Sequence, residues 1–162
     1  MAVKALILAA GKGTRVQPLT YDMPKPMIPI LGRPVIEMLV EQLARHGVKD
    51  IMINLSYHAY RIEQYLGDGS RYGVNIGYSF EGKLDGDELI PEPVGSAGAL
   101  RKIQRFGNFF DDTTIVLCGD ALIDLDLTDA LREHRATRAL ASVITIPVAP
   151  AKVSNYGIVV TD

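Results

Sequence analysis

A short segment near the start of the chain combines two glycines with several cationic side chains. Gly11 and Gly13 follow an apolar run, and Lys12, Arg15 and Lys25 lie within or shortly after the segment. Glycine tolerates positive φ and has no Cβ, so successive backbone N–H groups can converge on an anion. Arginine adds a planar fork that matches two phosphate oxygens. These residues predict a loop that binds phosphate.

Two common glycine motifs do not match this loop. The dinucleotide-binding fingerprint needs a small residue three positions after its second glycine, where this chain has Val16. The phosphate loop of nucleoside triphosphatases needs Gly-Lys-Ser or Gly-Lys-Thr at its end, and the segment lacks both. Two glycines alone also fit a tight turn from strand to helix whose lysine and arginine are merely solvated.

A second group of candidate residues is acidic. Asp120 follows Gly119 at the end of an apolar run, and Asp124 and Asp126 come soon after it. A carboxylate on a glycine turn can reach a divalent cation that it shares with substrate phosphates. Aspartates before a helix more commonly cap it or complement its dipole, and we favour that role for Asp124 and Asp126.

The remaining pattern predicts the elements that position these residues. Apolar runs predict strands at 3–9, 50–55, 74–80, 114–118 and 140–147, and helical periodicity predicts helices from Pro34 to His46-Gly47 and at 59–66, 97–106 and 127–136. This alternation predicts a Rossmann-like three-layer α/β/α fold with a mostly parallel central sheet. Ligands bind such sheets outside the carboxyl ends of the strands, where the strand order reverses. The glycine loop and Asp120 both follow strands and are therefore expected at that edge.

Composition excludes several other classes of protein. The chain has 162 residues with 48% hydrophobic and 22% charged side chains, which suits one globular domain over residues 1–162. A net charge of −2 provides no basic stripe for a nucleic acid polymer. The single cysteine, Cys118, excludes an internal disulfide and a cysteine-based zinc site. Without a signal peptide or a long apolar run, we expect a cytoplasmic protein with no membrane contact.

Longer motifs resemble a known family. Gly-x-Gly-Thr-Arg-x-x-Pro-Leu-Thr from Gly11 to Thr20, followed by Pro-Lys-Pro-Met at 24–27, resembles the signature of the sugar-1-phosphate nucleotidyltransferases, which make nucleotide sugars. Leu-Cys-Gly-Asp-Ala-Leu-Ile-Asp at 117–124 resembles the Gly-Asp motif of that family. Within the family, the bacterial mannose-1-phosphate guanylyltransferases are the most similar, and the resemblance covers essentially the whole chain.

The resemblance implies a role for each motif. It implies that Arg15 and Lys25 are catalytic, that Asp120 binds Mg²⁺, that Gly157 contacts the sugar, and that the nucleotide is bound by Ala10, Gly11, Gly13, Thr14, Arg15, Gly95 and Ser96. A serine in the position of Ser96 could equally be the N-cap of the next helix. The chain has Ile90 where many relatives carry a base-reading glutamine, so the identity of the base is left open.

The implied reaction transfers a nucleotidyl group from a nucleoside triphosphate to a sugar-1-phosphate, with GTP and mannose-1-phosphate favoured. Residues 1–120 would form the nucleotide-binding half and residues 121–162 the start of the sugar-binding half. The family continues with a Glu-Lys-Pro segment and a second metal-binding aspartate, so we expect a catalytic domain truncated at its C-terminus. We also expect a homo-oligomer.

Three alternatives stay open. The first is a thymidylyl- or uridylyltransferase that acts on another hexose-1-phosphate. The second is a non-catalytic regulatory subunit that binds a nucleotide sugar. The third is a glycosyltransferase of similar architecture that uses Asp124 and Asp126 as its metal motif. Glycosyltransferases of that kind bind a finished diphosphate sugar and do not need the glycine loop, which argues against the third alternative.

Overall fold

The computed structural model describes residues 3–86, 88–155 and 157–159. Within these ranges the elements are, in chain order, β1 (Lys4–Ala9), β2 (Pro29–Ile30), β3 (Arg33–Pro34), α1 (Val35–Arg45), β4 (Asp50–Leu55), α2 (Ala59–Leu66), β5 (Asn75–Phe80), β6 (Gly82–Asp85), β7 (Glu88–Pro91), α3 (Gly95–Gly107), β8 (Thr114–Cys118) and α4 (Leu127–Thr137). Short 3₁₀ turns occupy Thr14–Val16, Lys25–Met27, Ser70–Tyr72 and Pro150–Asn155. The chain divides into two compact units between Asp124 and Leu125.

The first unit is built on a parallel four-stranded sheet in the order β5-β4-β1-β8. Ile7 of β1 pairs with Ile53 of β4 on one side and with Leu117 of β8 on the other. Because β1 is an inner strand with both faces covered, all of its residues but Lys4 are apolar, and Ala5, Leu6, Ile7 and Ala9 are buried. The mostly parallel sheet predicted from the sequence is therefore confirmed.

The connections between strands identify the ligand edge of the sheet. From β1 the chain adds β4 and then β5 in one direction, and β8 is added later on the opposite side of β1. The strand order thus reverses between β1 and β8, which is the switch point where open α/β sheets bind ligands. Because crossovers between parallel strands are right-handed, this reversal of direction implies that α3 covers the face opposite to α1 and α2.

A half-buried carboxylate fixes the first turn of α1 against the following elements. Glu37 accepts hydrogen bonds from the hydroxyls of Tyr65 at 3.2 Å and Tyr72 at 3.0 Å, and from Arg33 Nε at 3.2 Å. Burial raises the pKa of Tyr72 to about 12, so its hydroxyl stays a donor at neutral pH. This cluster joins α1 to α2 and to the turn that precedes β5.

Two hairpins were not predicted from the sequence. The strands β2 and β3 pair over only two residues each, and β6 pairs with β7 from Gly82↔Pro91 to Asp85↔Glu88. Neither hairpin carries the alternating apolar pattern that identifies longer strands. The second hairpin is inserted between the end of β5 and the start of α3.

The second unit contains α4, and it differs from the sequence prediction at residues 140–147. Asp126 caps α4 by accepting hydrogen bonds from Thr128 N at 2.8 Å and Asp129 N at 3.3 Å, which confirms the capping role expected for it. The strand predicted at 140–147 is wrong, because those residues form no helix or strand. An apolar run becomes a strand only where a neighbour pairs with its backbone, and no described segment of this unit does so.

Among the described residues, no helix combines the length and the apolar character needed to cross a bilayer.

Candidate functional site

The loop that follows β1 depends on its second glycine. Gly13 has a φ of 68°. A Cβ at this position would lie 2.9 Å from Cγ2 of the buried Thr20 and 3.3 Å from Lys25 Cβ. Thr20 Oγ1 donates a hydrogen bond to the Gly13 carbonyl at 2.8 Å and closes the loop. At Gly11, by contrast, φ is outside the left-handed range and an added Cβ would meet no atom within 4 Å. Positive φ is therefore used at Gly13 and not at Gly11.

This difference between the two glycines predicts a difference in stability. Gly13→Ala is expected to lower the free energy of unfolding by about 1–3 kcal/mol, because alanine is strained at positive φ and its Cβ crowds Thr20. Gly11→Ala, in the same loop, is expected to change it by less than about 0.5 kcal/mol. Urea denaturation of both variants measures the two values, and equal shifts would contradict the assigned loop geometry.

The cationic side chains of the loop have different surroundings. Arg15 is exposed and makes no hydrogen bond or ion pair within the described part of the chain. The ammonium of Lys12 lies 5.3 Å from the ring centroid of Tyr57, which follows β4. Lys25 is about one-third exposed and donates a hydrogen bond to Asp120 Oδ2. Two of the predicted site residues, Lys25 and Asp120, are therefore in direct contact.

Asp120 is placed beside the loop by a close approach of two strand ends. The N–H of the buried Gly119 donates to the Leu8 carbonyl at 2.8 Å. A Cβ at Gly119 would lie 3.0 Å from that carbonyl oxygen and 3.1 Å from Ile7 Cγ2, so a larger residue would push β8 away from β1. Glycine here lets the acid that follows it lie next to the phosphate loop.

The donor set around Asp120 limits the kind of metal site that this region can form. No cluster of three or more histidine, cysteine, aspartate or glutamate side chains occurs in the described ranges. One partly exposed carboxylate cannot enclose a metal ion without other ligands. It does suit Mg²⁺, which keeps several waters and is usually held by one or two carboxylates together with substrate phosphates. The residues therefore fit a cation that is shared with a phosphate ligand.

The predicted nucleoside segment forms the start of α3. Gly95, with a φ of 75°, and Ser96 are the first two residues of the helix, and both are exposed. The N-cap is Val94, whose side chain makes no capping hydrogen bond. The alternative role of Ser96 as an N-cap is therefore wrong, because the helix begins before it. Ser96 is left free for a ligand contact.

A buried polar network joins the end of β1 to the residue before α3, and the sequence analysis missed it. Asn54 Oδ1 accepts a hydrogen bond from Ala9 N at 3.0 Å, and Asn54 Nδ2 donates to Glu81 Oε1. Glu81 Oε2 accepts from Val94 N at 2.9 Å. The available signal was an asparagine inside the apolar run Asp50–Leu55 and a glutamate directly after β5.

The two remaining predicted site residues are Ala10 and Gly157. Ala10 is half-buried and leads from β1 into the glycine loop. Gly157 belongs to the second unit, where it is exposed and lies outside any helix or strand. A contact between Gly157 and a sugar therefore stays a prediction.

Comparisons with known proteins agree with this architecture. A family model described as nucleotidyl transferase matches residues 4–162. A UTP–glucose-1-phosphate uridylyltransferase from Synechocystis sp. is 58% identical over 160 residues, which are 99% of this chain and 41% of that protein. A mannose-1-phosphate guanylyltransferase from Mycobacterium tuberculosis is 34% identical over 160 residues, with the same 99% and 41% coverage.

A solved structure gives the same result at the level of the fold. The crystal structure of HddC from Yersinia pseudotuberculosis, complexed with GMP-PN, matches with a TM-score of 0.65 and 29% sequence identity over 81% of this chain and 53% of that chain. The chain thus spans about half or less of the length of these proteins. Because the family model covers almost every residue, the chain belongs to the nucleotidyl transferase family.

Proposed function

We propose that this chain carries the nucleotide-binding machinery of a sugar-1-phosphate nucleotidyltransferase. The contact between Lys25 and Asp120, beside the Gly13 loop and at the switch point of the sheet, carries the proposal. It brings a cation for phosphate and a carboxylate for a divalent metal to one place. The sequences of the family relatives support the same activity.

The proposed reaction is an in-line displacement at phosphorus. A phosphate oxygen of the sugar-1-phosphate attacks the α-phosphorus of the triphosphate, the new P–O bond forms as the bond to the β-phosphate oxygen breaks, and pyrophosphate leaves. Such chemistry depends on positioning and on charge stabilisation more than on covalent work by the protein. Arg15 and Lys25 neutralise charge on the α-phosphate and the leaving pyrophosphate, and the loop from Ala10 to Thr14 binds the triphosphate.

Asp120 is the residue proposed to hold Mg²⁺. When bound, the cation would supply charge neutralisation on the phosphate oxygens. Asp120 is paired with Lys25 in the structure. A carboxylate that binds a cation no longer needs the ammonium, so Lys25 becomes available to a phosphate oxygen.

The relatives favour one of the alternatives left open above over GTP and mannose-1-phosphate. The Synechocystis protein, at 58% identity, is named for UTP and glucose-1-phosphate, whereas the guanylyltransferase is 34% identical. We therefore propose uridylyl transfer to glucose-1-phosphate as the first candidate reaction. Guanylyl transfer to mannose-1-phosphate is the second candidate, supported by the motifs and by the fold match to a protein solved with GMP-PN.

A pyrophosphate-release assay tests this proposal. The protein is assayed at its full natural length, with UTP, GTP and dTTP each combined with glucose-1-phosphate and with mannose-1-phosphate in the presence of Mg²⁺. We expect the highest rate with UTP and glucose-1-phosphate. A higher rate with GTP and mannose-1-phosphate would support the second candidate. Triphosphate binding without release from any pair would support a regulatory subunit, and the absence of both would overturn the proposed function.

A further inference from the structure

Asn54 and Glu81 are polar residues in the most buried part of the first unit. Each is only 2% exposed, and each lies at the carboxyl end of a sheet strand or directly after it. Burying an amide and a carboxyl group is costly unless every donor and acceptor is used. The hydrogen bonds of Asn54 and Glu81 must therefore offset the cost of burying the two side chains.

The orientation of the Asn54 amide is determined by its neighbour in β1. The backbone N–H of Ala9 can only donate, so the Asn54 atom 3.0 Å away must be its oxygen. The amide nitrogen then faces Glu81 and donates to Oε1. The other carboxyl oxygen, Oε2, accepts from the N–H of Val94 at 2.9 Å. Each hydrogen bond in this series has one defined direction.

The ends of this series are backbone atoms next to the two proposed ligand segments. Ala9 is the last residue of β1 and directly precedes the phosphate loop, and Val94 directly precedes Gly95 and Ser96. A chain of three hydrogen bonds thus connects the residue before the phosphate loop with the residue before the nucleoside segment. No other side chain is needed to connect them.

Backbone contacts of Glu81 hold the same position from a second side. Its carbonyl accepts hydrogen bonds from Ser56 Oγ at 2.8 Å and from Glu92 N at 3.1 Å, and its N–H donates to the Leu55 carbonyl at 2.6 Å. Glu81 and Glu92 lie on either side of the β6–β7 hairpin, so their contact closes its base. The start of α3 is therefore fixed to the sheet independently of the hairpin tip.

We infer that Asn54 and Glu81 are positioning residues that set the distance between the phosphate loop and the nucleoside segment, so that one nucleotide can contact both. This inference rests on the proposed function, because it requires Gly95 and Ser96 to face the nucleoside. Neither side chain is exposed enough to touch the ligand itself. Their effect on binding passes through the backbone that they hold.

Two single substitutions break the series of hydrogen bonds while keeping the size of the side chains nearly unchanged. In Glu81→Gln the new amide has one oxygen, so either Val94 N–H or Asn54 Nδ2 faces a second donor. In Asn54→Asp two carboxyl oxygens face each other. We expect either variant to bind UTP roughly 5- to 150-fold more weakly, the usual range for coupling between sites. Binding of inorganic tripolyphosphate, which needs the phosphate loop alone, should stay within about twofold of wild type.

The double variant Asn54→Asp with Glu81→Gln is the decisive measurement. The aspartate accepts from Ala9 N–H and from the glutamine amide, and the glutamine oxygen accepts from Val94 N–H, so all three hydrogen bonds return with the same formal charge. We expect its UTP affinity to recover to within about fivefold of wild type. Glu92→Gln is the matched control. It replaces a carboxylate by an amide as Glu81→Gln does, but the Glu92 side chain is exposed and takes no part in the three hydrogen bonds.

Isothermal titration of UTP and tripolyphosphate, with melting temperatures for every variant, separates the outcomes. Selective weakening of UTP binding and its recovery in the double variant would support the inference. Equal loss of both ligands, unchanged UTP binding in the single variants, or no recovery in a folded double variant would overturn it. Wild-type protein that binds neither UTP nor GTP would refute the proposed function itself, and the inference with it.

Discussion

Lys25→Ala is expected to lower the rate of pyrophosphate release by about 100- to 1,000-fold, the usual cost of removing one group that stabilises charge in a transition state. The ammonium lies against Asp120 and beside the glycine loop, where the triphosphate is proposed to bind. Affinity for the triphosphate should fall by about 10- to 150-fold, as for a lost hydrogen bond to a charged group. Arg15→Ala should weaken triphosphate binding by a similar factor.

The control for these variants is a cation elsewhere in the chain. Arg132 on α4 is largely exposed and pairs with Asp129, so Arg132→Ala should leave binding and turnover unchanged. Melting temperatures should move little in all three variants, because cationic side chains at the surface contribute little to folding. Unchanged triphosphate affinity in both Arg15→Ala and Lys25→Ala would contradict the assignment of the phosphate loop.

The parallel sheet could be predicted because its signal is local. Each central strand is a short apolar run that ends at glycine or at polar residues, and the helices between them have apolar residues at a spacing of three and four. The bounds 50–55, 59–66 and 114–118 agree with the structure residue for residue. The segment 140–147 has the same apolar character but forms no strand, because pairing with a neighbour is a non-local condition.

The residue types of the candidate site could be predicted from the sequence, but the contacts between those residues could not. Residue types and motifs identified Lys25 and Asp120 separately, and strand order then placed them in contact across 95 residues of sequence. The buried partnership of Asn54 with Glu81 gave no comparable signal, because each residue alone resembles an ordinary polar residue at a strand end. Its role became visible only when the structure paired donors with acceptors.

The largest effect expected from one substitution is that of Asp120→Asn. The amide keeps the shape of the side chain but loses the charge that would hold Mg²⁺ on the phosphates. Metal-ion catalysis contributes several kcal/mol, so turnover should fall on the order of 1,000-fold while the protein stays folded. Pyrophosphate release measured against Mg²⁺ concentration should also show a higher concentration of metal at half-maximal rate.

Asp124→Asn separates this assignment from the glycosyltransferase alternative. Asp124 is exposed and lies four residues after Asp120, so its substitution makes the same change in charge nearby. If Asp120 alone holds the cation, Asp124→Asn should keep turnover within about twofold of wild type. If Asp124→Asn removes activity and Asp120→Asn does not, the metal motif is Asp124 and Asp126 instead.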